Sequence, residues 1–174
     1  MARNVEIKAR LTDAAATRRL VEAAAGPPET LSQADTFFRV ERGRLKLRET
    51  AGGAAELIFY ERGDRTGPKE SRFERVAVSD APALRSLLAA ALGERGRVSK
   101  RRLVYRVGRT RVHLDQVEGL GDFLELEVEL APDEAVEAGA ADARRLMAEF
   151  GIGEDALVAR AYVDLLGDPA LPGR

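Results

Sequence analysis

The sequence contains no cysteine, no tryptophan and a single histidine. Without cysteine there is no disulfide framework, no thiolate nucleophile and no sulfur-ligated metal. No apolar run reaches the length a bilayer-spanning helix needs. The opening residues, Met1-Ala2-Arg3-Asn4, pass directly into an alternating pattern, so a cytoplasmic protein with no signal peptide and no membrane partner is expected. An excess of one charge is also missing: 28 Lys and Arg stand against 29 Asp and Glu, for a net charge of −1. A molecule-wide nucleic-acid surface is therefore not expected, although a local basic patch is allowed. The glycine-rich turns at Gly52-Gly53 and Gly119 to Gly121 lack phosphate-loop spacing, and no Ser or Cys nucleophile motif is present.

What is present is alternation. In Phe123-Leu124-Glu125-Leu126-Glu127-Val128-Glu129-Leu130, three glutamates fall on one face of a strand and four apolar residues on the other. Basic counterparts recur: Arg44-Leu45-Lys46-Leu47-Arg48, and Val98 to Val107 with Lys100, Arg102 and Arg106 on one face. Strand patterns also span Asn4–Leu11, Gln33–Val40, Glu56–Arg62, Arg72–Val78 and Arg111–Val117. Helical patterns run from a Thr12 or Asp13 cap to about Ala25, from about Ala81 to Leu92 behind Asp80, and from Pro132-Asp133 to about Phe150. A short helical tail covers Glu154 to Leu166. At 174 residues one domain is expected, over 1–167, followed by a Pro/Gly-rich C-terminal tail at 168–174. About eight strands with few helices predict an α+β fold: an eight-stranded antiparallel β-barrel with amphipathic helices packed outside.

The decisive question is which strand face is buried. An alternating charged strand usually turns its charges to water. Here the amphipathic helices need an apolar docking surface, and a barrel with its apolar faces inward would offer none. The consistent arrangement puts the apolar faces outward under the helices and the charged faces into a lumen. That lumen would hold Glu6, Lys8, Arg10, Lys46, Arg48, Arg62, Lys100, Arg102, Asp115, Glu125 and Glu127. Enclosed charges must be paired or bound to ions. Clustered Lys and Arg suit a polyanion such as a triphosphate, and clustered carboxylates suit Mg2+ or Mn2+. His113, with Arg111 and Asp115 on one face, reads as a hydrogen-bonded lining residue more readily than as an acid or base. Tyr162 reads as a packing residue that could also cover one end of the tunnel.

Several segments, in this order, resemble the CYTH superfamily, which unites class IV adenylyl cyclases, thiamine triphosphatases and other triphosphate tunnel metalloenzymes. They are Val5-Glu6-Ile7-Lys8, Asp35-Thr36-Phe37-Phe38, Leu45-Lys46-Leu47-Arg48, Gly67-Pro68-Lys69-Glu70-Ser71, Lys100-Arg101-Arg102 and Leu120-Gly121-Asp122-Phe123-Leu124-Glu125-Leu126-Glu127. The resemblance runs from Asn4 to Leu166 and implies an eight-stranded tunnel that binds a small-molecule triphosphate with one or two divalent metals. Carried over by residue, Lys8, Lys46, Arg48, Arg62, Lys100 and Arg102 would hold phosphates, with Arg10 and Lys69 as weaker candidates. Glu6, Glu125 and Glu127 would hold metal, with Asp115 nearby. Lys8 and Glu127 are the catalytic candidates. The expected activity is metal-dependent triphosphate hydrolysis, the alternatives being conversion of ATP to cyclic AMP and non-catalytic nucleotide or polyphosphate binding. A monomer or homodimer is expected. Two positions depart from the family pattern. Asn4 replaces the first glutamate of the Glu-x-Glu-x-Lys signature, and Phe37 stands where thiamine triphosphatases carry a tyrosine. The second departure argues against thiamine triphosphate as the substrate.

Overall fold

Alternation in β1 (Ala2–Arg10) sets the pattern for the molecule: Val5, Ile7 and Ala9 are fully buried on one side, while Asn4, Glu6 and Lys8 face the other. The computed structural model describes residues 1–167, so the tail expected at 168–174 lies outside the described residues. The other strands are β2 (Glu29–Phe38), β3 (Arg44–Thr50), β4 (Ala55–Arg62), β5 (Lys69–Ala77), β6 (Glu94–Val107), β7 (Thr110–Val117) and β8 (Gly121–Glu129). Among the described residues these eight strands close an antiparallel barrel in the order β1-β5-β4-β3-β2-β6-β7-β8. Closure removes every sheet edge. No helix among the described residues is long and apolar enough to cross a membrane.

The barrel is inverted, as the helices require. α1 (Ala14–Ala25) and α3 (Val136–Glu149) lie outside and cover the apolar strand faces. Val5, Ile7, Leu124, Leu126 and Val128 form one cluster with Val21 of α1 and Ala143, Leu146 and Met147 of α3. Gly139 lets α3 approach closely, since a Cβ there would meet Leu130 Cδ2 at 2.7 Å and Val5 Cγ2 at 2.8 Å. α2 (Ala81–Leu92) lies against β2 and β3 but buries none of its residues fully, and Leu87 stays 64% exposed.

Several boundaries differ from the sequence reading. β2 starts at Glu29, not Gln33, because Glu29–Ser32 pair with Arg101–Val104 of an extended β6. β5 starts at Lys69, which pairs with Glu6. α3 starts at Val136, four residues late: the Glu134 carboxylate accepts from Ala131 N and from Arg109, which fixes a turn at the point where the helix was expected to begin. The expected helical tail is interrupted: a 3-10 turn at Glu154–Ala156 gives way to an extended stretch before helix resumes. Leu157 bridges to Ala9 and Val158 N donates to Lys8 O, pairing that demands a strand-like backbone, and only Tyr162–Leu166 (α4) is α-helical.

Candidate functional site

The inward faces enclose a cavity of about 380 Å3. At one end α4 acts as a plug. Tyr162 packs edge-on against Phe123 in a second apolar cluster with Phe37, Val98, Val163 and Leu165. Ion pairs fasten the plug to the barrel: Asp164 accepts from Arg44 at 2.9 Å and from Arg95. The Tyr162 hydroxyl donates to Asp115 at 3.0 Å, and its ring lies under the Lys8 ammonium, 3.8 Å from Nζ. The lining reaches exposed Glu29 and Arg75 at the other end, where the cavity meets solvent.

Three ion clusters organise the walls. The first centres on Asp35, which is 2% exposed. Register places it beside Arg48 on β3 and near Lys100 on β6. It accepts a bidentate pair from Arg48, 2.8 Å each, together with Lys46 at 3.0 Å and Lys100 at 3.3 Å. Burial alone would raise the Asp35 carboxyl, but Lys100, Lys46 and Arg48 outweigh it and hold the group well below the usual range. Burial, with Arg102 nearby, brings the Lys100 ammonium down to about 7.

The second cluster joins Arg102, Asp115, Glu125 and Lys8. Arg102 donates twice to Asp115, at 2.6 and 2.5 Å, and once to Glu125 at 2.6 Å. Lys8 Nζ lies 3.2 Å from the other Glu125 oxygen. Burial opposes ionisation of Glu125, yet Lys8 and Arg102 keep it well below its ordinary value. The third cluster pairs Glu6 with Arg62 at 2.5 Å. Behind it Lys69 is 1% exposed, and its Nζ has no hydrogen-bond partner. Burial, with Arg62 close by, lowers Lys69 to about 8.

On the β7–β8 wall, His113 pairs with Glu125 and Arg111 with Glu127. Arg111 donates to Glu127 Oε2 at 3.1 Å. Ligand atoms of His113, Glu125 and Glu127 all lie within 4.8 Å of one another. Asn4, at the position of the missing signature glutamate, also lines the cavity, and its buried Oδ1 has no hydrogen-bond partner. Carboxylate oxygens with an orphaned amide oxygen nearby are a donor set that suits Mg2+ or Mn2+, so the residues present fit such an ion.

The structure brings Glu6, Lys8, Lys46, Arg48, Arg62, Lys100, Arg102, Glu125 and Glu127 to one lining. Three other named candidates are not on that lining: Lys69 is buried behind it, and Arg10 and Asp115 lie elsewhere. Arg10 has the right parity but lies by the plug, stacked on Phe123 and donating to Leu120 O at 2.7 Å. Asp115 is turned into the wall, its oxygens held by Arg102 and Tyr162. Sequence reasoning left Asp35, Tyr60 and Arg111 off the site, and all three line the cavity. For Arg111 the signal was available: a hairpin centred on Gly119 to Gly121 pairs it with Glu127.

With the geometry established, comparison places the chain among known proteins. A 72-residue stretch is 43% identical to adenylate cyclase CyaB of Aeromonas hydrophila, covering 40% of this chain and 37% of that protein's length. The fold matches the PH1012 protein of Pyrococcus horikoshii OT3 with a TM-score of 0.84 at 23% identity, over 93% of this chain and 98% of that one. It also matches a putative adenylyl cyclase from Hippeastrum, described as having a dominant triphosphatase activity, with a TM-score of 0.65 at 18% identity over 99% and 98% of the two chains. The CYTH domain profile matches residues 2–162, all eight strands and the chain up to the first residue of the plug helix, and the chain belongs to the CYTH family.

Proposed function

We propose that this protein hydrolyses a triphosphate-bearing small molecule, inorganic or nucleoside, with a divalent cation. The observation that carries the reading is the charge balance of the lining. Among the described residues, eight basic side chains (Lys8, Lys46, Arg48, Arg62, Arg75, Lys100, Arg102 and Arg111) face six acidic ones (Glu6, Glu29, Asp35, Glu56, Glu125 and Glu127), an excess of two positive charges once Lys100, lowered to about 7, is protonated and with His113 neutral. A triphosphate near neutral pH carries about −4, so with one divalent cation it brings about −2, which matches that excess. Lys69, buried behind the lining without a hydrogen-bond partner, adds an ammonium suited to an anionic oxygen.

Glu125 and Glu127 are the residues to hold the cation, with Glu6 beside them on β1. When bound, a divalent cation neutralises phosphate oxygens and acidifies a coordinated water. The protein's own part is positioning and charge. Lys46 and Arg48 on β3 and Lys100 on β6, the two strands flanking β2, present donors to phosphate oxygens, and Arg48 and Arg102 can engage them bidentately. Lys8, held over the Tyr162 ring, sits beside Glu125 and offsets charge that builds on the leaving group. In hydrolysis, water attacks the terminal phosphorus. This asks of the site only a triphosphate, a cation and enclosure.

A second reading, cyclisation of ATP, has its own support. Leu31, Ile58, Phe73 and Val104 also line the cavity, an apolar surface that a nucleobase could contact, and the Aeromonas relative is named as an adenylate cyclase. One assay separates the outcomes: pure protein with ATP or tripolyphosphate and Mg2+ or Mn2+. Free phosphate supports hydrolysis. Cyclic AMP with pyrophosphate overturns it in favour of cyclisation, and binding without turnover leaves a non-catalytic binder.

A further inference from the structure

His113 lines the cavity, and neither phosphate binding nor charge balance uses its imidazole. It is 5% exposed, and its Nδ1 has no hydrogen-bond partner. That nitrogen is aimed between two carboxylates, 3.8 Å from Glu125 Oε2 and 3.9 Å from Glu127 Oε1. Both separations are too long for hydrogen bonds. They do fit two donors on a shared ion, since atoms each about 2.1 Å from one ion lie about 3.0 to 4.2 Å apart. We infer that His113 is a metal ligand, and that Nδ1 with one oxygen each from Glu125 and Glu127 forms a mixed nitrogen–oxygen site selective for Mn2+ over Mg2+. This rests on the reading of Glu125 and Glu127 as cation-holding residues and adds a third donor of a different kind.

The selectivity follows from donor chemistry. Mg2+ binds carboxylate, carbonyl and water oxygens and loses its hydration reluctantly. Imidazole nitrogen is a donor for first-row transition ions, most strongly for those later in the row than Mn2+. Mn2+ stands at the weak end of that series, next to Mg2+ in its preference for oxygen but still a transition ion. The imidazole must be neutral to donate its lone pair. Arg102 donates to Glu125 Oε2, the oxygen that faces Nδ1, and Arg111 donates to Glu127 Oε2, so both carboxylates are held in place before any ion arrives.

The test uses the full chain with Mn2+ alone and reads no activity. Electron spin echo modulation of Mn2+ bound to the native protein is expected to show directly coupled imidazole nitrogen. His113→Asn is expected to abolish that coupling and to weaken Mn2+ binding about tenfold, measured by loss of the free-ion EPR signal, with Mg2+ affinity changed less than about twofold. Mn2+ bound by the native protein without nitrogen coupling overturns the His113 assignment and leaves the two glutamates as ligands. No Mn2+ binding overturns both. The native spectrum decides even if the variant does not fold.

Discussion

Asp35 offers the sharpest test of the charge logic, because one buried carboxylate holds three cations. Asp35→Asn keeps the shape and removes the charge, leaving Lys46, Arg48 and Lys100 facing one another. Removing one partner of a buried ion pair costs about 3–5 kcal/mol. Water reaching the cations through the open end offsets part of that, which places the loss near about 3 kcal/mol. At about 2–4 °C per kcal/mol for a chain of this size, the melting temperature should fall by roughly 6–12 °C. The second half of the test is the rescue. In the native protein a triphosphate must compete with Asp35 for its cations, whereas in the variant it supplies the missing negative charge. A ligand at a hundredfold excess over its Kd stabilises by about 2.7 kcal/mol, and tighter binding gives more at the same concentration. Thermal unfolding with increasing tripolyphosphate should therefore show a larger upward shift for Asp35→Asn than for the native chain. A melting temperature within about 2 °C of native would show that Asp35 does not neutralise this cluster. A smaller ligand shift in the variant would show that the three cations are not the phosphate-binding surface.

The remaining predictions probe the site and its frame. Glu127→Gln should lower metal-dependent kcat by about 100-fold or more while leaving metal-free tripolyphosphate binding intact. Lys46→Ala should raise KM about tenfold with a smaller change in kcat, since it removes a phosphate contact. Lys100 titrates near 7 in the free protein, so it takes up a proton when a polyanion binds. Affinity should fall as pH rises through 7 to 9, and calorimetry in buffers of different ionisation heat should report proton uptake at pH 8. In the free protein the sign for stability is opposite. Between about 7 and the ordinary lysine value of 10.5 the unfolded chain binds the extra proton, so Lys100 makes the fold more stable as pH rises. Gly139→Ala drives a Cβ into Val5 and Leu130 and should cost about 1–3 kcal/mol, read by denaturant midpoint, with the metal affinity unchanged.

The inverted barrel was legible because two independent patterns demanded it: strands with charge on one face, and helices needing an apolar surface that only the other face could supply. Parity then named most of the lining. Parity fixes a face, however, and not a level along the axis. Arg10 and Asp115 share the faces of Lys8 and His113, yet they lie at the level where Phe123 and Tyr162 fill the barrel. The plug depends on Leu157 and Val158 pairing with β1, a contact between residues about 150 positions apart that no local pattern announces. Asp35 was missed for a related reason. Nothing in Ala34-Asp35-Thr36 marks it as a hub, and only barrel closure places β2 between the strands that carry Lys46, Arg48 and Lys100.

The same closure explains how a channel so dense in charge can exist without a ligand. Buried charges left alone would unfold a chain of ordinary stability. Here the principal lumen carboxylates already have cations: Glu6 has Arg62, Asp35 has Arg48, Glu125 has Arg102 and Glu127 has Arg111. These pairs serve as internal counter-ions for the free barrel. On the proposed function, a metal–triphosphate complex would divide them, the guanidinium and ammonium groups holding the phosphates and the carboxylates holding the metal. Each native pair broken is replaced by two new pairs of the same kind, so neither set of charges is left unpaired. A polyanion alone satisfies only the basic half and a divalent cation alone only the acidic half. Binding of the two should therefore be mutually reinforcing, with Mn2+ affinity rising in the presence of tripolyphosphate by the same factor as tripolyphosphate affinity rises in the presence of Mn2+. Equal affinities with and without the other component would mean that the lumen pairs do not open, and that the cation and the phosphates do not share this cavity.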